Sequence, residues 1–159
     1  MKAQANWKGR LTFSGKATSG FELQMGADPS VGGDDDGFRP LELVALGLAG
    51  CTAMDVISIL KKKRQEVTAF EVRVDAEQAP EHPMVFTRAV IEYFITGHAV
   101  DEAAVARSIE LSAVRYCPVQ GMLSKVMPIE LKYFIFEENA DREPVPVKSG
   151  VVVPVEASA

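Results

Sequence analysis

Pro40-Leu41-Glu42-Leu43-Val44-Ala45-Leu46-Gly47-Leu48-Ala49-Gly50-Cys51-Thr52-Ala53-Met54-Asp55-Val56-Ile57-Ser58-Ile59-Leu60-Lys61-Lys62-Lys63-Arg64 reads as one long helix. Pro40 suits a first helical position, where a missing N–H costs nothing. Glu42 falls in the first turn and the basic run in the last, the ends that the macrodipole favours for each charge. Apolar side chains occupy nearly every side, and a helix that is apolar all round is buried all round. The 25 residues from 40 to 64, at about 1.5 Å each, would span ~37 Å, the width of a domain of this size. One short chain has difficulty covering such a helix, so a second copy is expected to help. Ala45, Gly47, Ala49, Gly50 and Ala53 supply small surfaces that another helix can approach closely.

Outward from this helix the periodicity changes to two. Segments 2–7, 10–14 and 21–25 alternate and are punctuated by Gly9, Gly15 and Gly20, as short strands joined by turns are. Residues 26–39, with four glycines, Pro29 and Asp34-Asp35-Asp36, read as a solvated, mobile loop; the acidic triplet lacks the spaced ligands of a calcium loop. Beyond the helix, 69–78 and 85–96 alternate as two long strands around a turn with Pro80, His82 and Pro83. Asp101 is a candidate N-cap for a second helix to Arg115, with Val105 and Ile109 inward. Pro118 opens a third, 118–126, which makes Cys117 its N-cap, and 129–136 is a last strand. A single domain over 1–137 is expected, followed by an Ala/Val/Pro-rich tail, 138–159, loose or draped over a neighbour.

The bulk numbers narrow the function. Seventeen basic and 22 acidic residues leave a net charge of −5, which disfavours a nucleic-acid partner, since phosphate neutralisation needs clustered cations. No signal peptide is visible in residues 1–7, and the uncharged run Leu43–Met54 is shorter than a span of about 20 residues, so no membrane partner and a cytoplasmic location are expected. No cofactor motif appears: there is no glycine-rich phosphate loop and no nucleophile-elbow serine. Cys51, His82, His98 and Cys117 contain no short-spaced pair, so no metal is expected either.

Attention therefore falls on the two cysteines, because a pair in a reducing compartment is seldom a structural staple. Cys51 lies mid-helix on the polar stripe with Asp55 and Ser58, where burial raises a thiol's pKa and Asp55 disfavours a thiolate. For Cys51 to react, a guanidinium must stand beside it; Arg10, Arg39 and Arg115 are the candidates. Otherwise it packs like an alanine. At a helix N-terminus, Cys117 is expected to have its pKa lowered instead; otherwise it is an ordinary turn cysteine.

Two segments resemble a known family. Pro40 to Val56 is similar to the central helix signature of the OsmC/Ohr family, and Tyr116-Cys117-Pro118-Val119 to its second cysteine motif. Within that family, Asp55-Val56-Ile57-Ser58-Ile59-Leu60 and Ala104-Val105-Ala106-Arg107 resemble the YhfA-like branch. The resemblance implies an α+β fold: an intertwined homodimer with two long central helices and surrounding antiparallel sheets. It implies thiol-dependent reduction of organic hydroperoxides, with Cys51 attacking, Cys117 resolving and an external dithiol restoring both. It also implies an arginine, for which Arg10 has the expected hairpin position, oriented by a glutamate. Here the acid is Glu42, one place later than in the pattern. Nine residues from Cys51, it points ~180° away on a straight helix, so a kink is needed for the two to meet. A non-catalytic dimer that binds a small apolar molecule in the same cleft is the alternative, with Phe13, Phe21, Leu48 and Met54 expected as pocket lining.

Overall fold

The computed structural model describes residues 1–139 and 143–154. The chain forms two compact units, Met1–Val44 and Ala45–Ala159, with their boundary inside the long helix. The first unit is a three-stranded antiparallel sheet in the order β1 (Ala3–Gly9), β2 (Thr12–Ala17), β3 (Glu22–Met25). The β1–β2 turn uses Gly9 at φ 125°, a conformation that glycine adopts without penalty, followed by Arg10 at φ 45°.

The loop 26–39 departs from the solvated, mobile segment expected, because each of its aspartates has a protein partner. Asp34 pairs with Arg10, Asp35 with Arg39 at 2.8 Å, and Asp36 accepts from Thr12 Oγ1 at 2.7 Å. Asp28 caps the short 3₁₀ turn Pro29–Val31 and pairs with Arg39 at 3.2 Å. An exposed pair of this kind contributes only ~0–1 kcal/mol. What the set does is fix the loop's path against the sheet of its own unit.

In the second unit, α1 (Pro40–Lys62) runs without interruption from the first. Its residues Leu48, Thr52, Val56 and Leu60 are buried, a single i, i+4 line. Leu48, Val56 and Leu60 join one core with Ile91, Tyr93, Ile95, Val105, Ile109, Leu131 and Ile135. The helix is long and apolar enough to cross a membrane by length and composition alone, and one stripe of it packs into the core. Burial is not all round, as the composition predicted: Val44, Leu46 and Met54 are exposed, Met54 to 69%.

The second sheet has the order β4 (Glu66–Gln78), β5 (Phe86–His98), β6 (Ile129–Glu138), β7 (Pro144–Val152). Alternation decides its faces: Ile91, Tyr93, Ile95, Leu131, Tyr133 and Ile135 point into the core, while Phe94 stacks on Phe134 across the other face. Two expectations are corrected. First, β6 runs parallel to β5, not antiparallel, because α2 (Glu102–Leu111) and α3 (Pro118–Leu123) form the crossover that parallel neighbours require. Second, residues 144–152 of the expected tail form an edge strand antiparallel to β6, satisfying backbone groups that β6 would otherwise expose. The rest of that tail, 140–142 and 155–159, lies outside the described residues.

Candidate functional site

The second unit brings Cys51 and Cys117 together. Asp101 caps α2 as expected, accepting from Ala103 N and Ala104 N, but the α-helix stops at Leu111. Residues Ser112–Tyr116 continue as a wider π turn, closed by Cys117 N donating to Ser112 O at 2.9 Å. Pro118 then opens α3, with Cys117 as its N-cap, its Sγ accepting from Gln120 N at 3.3 Å. This π turn carries Ser112 and Cys117 to the polar stripe of α1. The sulfurs of Cys51 and Cys117 and a carboxylate oxygen of Asp55 all lie within 4.8 Å of one another. Both cysteines are free thiols, Cys51 half-buried and Cys117 buried.

Beneath the thiols runs a buried hydrogen-bond chain. Thr52 Oγ1 lies 2.7 Å from Tyr93 Oη and 3.0 Å from Ser112 Oγ, and Ser112 Oγ donates to Asp55 Oδ2 at 3.2 Å. Each hydroxyl has one proton. Because that of Ser112 goes to Asp55, Thr52 donates to Ser112 and Tyr93 donates to Thr52. The chain therefore points one way, from Tyr93 to Asp55. Burial pushes the Tyr93 phenol well above its ordinary range, which keeps it the donor.

The expectation of a lowered pKa for Cys117 is corrected. Its thiol is pushed up to about 12, chiefly by burial, with the Cys51 sulfur raising it further; the N–H of Gln120 pulls the other way and loses. A six-residue helix has few aligned peptides to oppose desolvation.

The remaining candidates belong to the first unit or to the surface. Arg10 pairs with Asp34 and donates to Gly32 O at 3.1 Å. Glu42 holds Arg39, not Arg10: Oε2 accepts from Arg39 N at 2.9 Å, and Oε1 lies 3.5 Å from its guanidinium. Arg115 is exposed, 5.5 Å from the ring centre of Tyr116. Among the described residues no Lys or Arg hydrogen-bonds to Cys51, Asp55 or Cys117. Of the expected lining, Leu48 is 1% exposed in the core, whereas Phe21 lines a groove of about 610 Å³ within the first unit, with Leu23, Met25 and Leu43. The sequence did not single out Thr52, Tyr93 or Ser112; the signal was Thr52 lying next to Cys51 on an otherwise apolar helix.

Comparison with known proteins fits this architecture. Residues 33–132 match the family model described as OsmC-like protein. Protein YhfA of Escherichia coli K12 is 38% identical over 133 residues, covering 84% of this chain and 96% of that protein. A hypothetical protein from Aquifex aeolicus VF5 superposes with a TM-score of 0.76 at 26% identity, over 87% of this chain and 97% of the other. An organic hydroperoxide resistance protein OsmC from Legionella pneumophila shares the fold at a TM-score of 0.64 and 16% identity, over 84% and 94% of the two chains. With the α+β fold and both cysteine motifs in place, the chain belongs to the OsmC-like protein family.

Proposed function

We propose that this protein is a cytoplasmic, homodimeric thiol peroxidase that reduces organic hydroperoxides. The observation that carries the reading is the pairing of a half-buried thiol, Cys51, with a buried one, Cys117, their sulfurs within 4.8 Å of each other. Cys51, the more accessible, attacks the outer oxygen of the hydroperoxide. The O–O bond breaks, the alcohol leaves with the proton, and Cys51 becomes a sulfenic acid. Cys117, held protonated by burial, is the resolving partner: its sulfur displaces water from Cys51 and closes the disulfide. An external dithiol restores both thiols. We assign the activating role to an arginine of the first unit, Arg10 or Arg39; Arg39 is the one that Glu42 orients. The exposed apolar side chains of α1 support the dimer.

A pulse of cumene hydroperoxide followed by mass spectrometry tests the assignment. Cys117→Ser should consume about one equivalent and stop at Cys51 sulfenic acid, or sulfinic acid in excess peroxide. Cys51→Ser should consume none. Oxidation confined to Cys117 reverses the roles. If no form, including the unaltered protein, consumes peroxide, the apolar groove of the first unit favours a ligand-binding protein instead.

A further inference from the structure

We infer that the reduced protein binds one divalent metal ion of the zinc class through Cys51, Cys117 and Asp55. The cysteines and histidines alone contain no short-spaced pair. The short-spaced pair is Cys51 and Asp55, one helical turn apart on α1, and the π turn delivers the third ligand.

Three donor atoms of types that ligate as anions lie within 4.8 Å of one another. Zinc–sulfur bonds of about 2.3 Å at a tetrahedral angle place two sulfurs about 3.8 Å apart. The present spread of the donor atoms exceeds that spacing by no more than about 1 Å. Two thiolates and one carboxylate suit zinc and its neighbours and are poor for magnesium or calcium, which take oxygen donors.

The outer groups agree with the donors. Gln120 N already donates to Cys117 Sγ, a contact that remains favourable when the sulfur is a thiolate. Ser112 Oγ donates to Asp55 Oδ2, and its own orientation is fixed through Thr52 and Tyr93, so Asp55 is aimed by a buried chain. Such outer hydrogen bonds orient the ligands of established metal sites. Three groups that ligate as anions converge here. Three protein ligands leave a fourth position for water, and the half-buried Cys51 and Asp55 provide the side of entry. Binding releases the two thiol protons to solvent, so affinity should rise with pH.

The inference does not depend on the peroxide reading, although both use the same sulfurs. The test is titration of the reduced, metal-stripped full chain with Co²⁺ under exclusion of oxygen. We expect one equivalent per chain, with a sulfur-to-cobalt charge-transfer band, intense visible bands of a four-coordinate ion, and bleaching by Zn²⁺. Asp55→Asn and Cys117→Ser should each weaken binding at least tenfold. The same protein oxidised to its disulfide should show no charge-transfer band, a control that needs no substitution. Absence of that band in the reduced protein, its persistence after oxidation, or undiminished affinity in Asp55→Asn or Cys117→Ser would overturn the site.

Discussion

Thr52→Val removes one oxygen from the middle of the buried chain while nearly conserving volume. Thr52 and Tyr93 are both 0% exposed, and with Ser112 donating to Asp55 the Tyr93 hydroxyl has Thr52 as its acceptor. The substitution therefore strands a buried phenol donor and deprives Ser112 of a donor, although Ser112 keeps Asp55. An orphaned buried polar group costs ~1–3 kcal/mol, so we expect a loss of about 2 kcal/mol. Tyr93→Phe leaves Thr52 bonded to Ser112 and should cost about 1 kcal/mol. In the double variant nothing is stranded, and its loss should fall short of the sum by about 1–2 kcal/mol. Urea unfolding of the four proteins at one fixed chain concentration measures this, because any association of chains makes the midpoint depend on concentration. A Thr52→Val loss below about 0.5 kcal/mol, or additivity within about 0.5 kcal/mol, would refute the chain as drawn.

Other outcomes follow from the same structure. A thiol whose folded pKa lies above its unfolded value stabilises fully below the unfolded pKa and loses that contribution as pH rises toward the folded one. For Cys117, pushed up to about 12, the metal-free reduced protein should therefore lose stability above about pH 9 with a slope of at most ~1.4 kcal/mol per pH unit. Cys117→Ala should flatten that slope between about pH 9 and 10, below the range where tyrosines titrate, as read by urea midpoints. At Gly97 a Cβ would collide with Glu66 O and lie 2.8 Å from Val100 Cγ2, so Gly97→Ala should cost about 3 kcal/mol in urea unfolding. Sedimentation at micromolar concentration should give a dimer, and Met54→Glu, which puts a charge on the exposed apolar side of α1, should shift it toward monomer.

Much of the fold was readable from periodicity. The 23-residue helix α1, the two 13-residue strands and the Asp101 cap each had a local signal: Pro40 with the closing lysines, alternation, and a capping side chain. The parallel pairing of β6 was not readable, because alternation fixes which face a residue takes and is silent on which neighbour a strand chooses. Strand β7 was missed because Pro144, Pro146 and Gly150 mimic a tail; prolines are tolerated there because β7 pairs with β6 along one edge only. At the site, both cysteines stood out as residue types, but their environment did not. Local sequence suggested a lowered pKa for Cys117 from its cap position, and burial by the surrounding core reversed it. The partner of Glu42 proved to be Arg39, three residues away, rather than Arg10 across the loop. The Tyr93–Thr52–Ser112–Asp55 chain joins residues 41 and 60 positions apart, and no local pattern encodes such a contact.

Cys51 and Cys117 are expected to act as one redox pair within a single chain. Adding one equivalent of cumene hydroperoxide to the fully reduced protein, then counting free thiols and mapping the cross-linked peptides, tests it most directly. Two thiols should be lost for each hydroperoxide consumed, with one intramolecular disulfide joining Cys51 to Cys117. Retention of both thiols with the peroxide unconsumed, or a disulfide formed between chains, would contradict it.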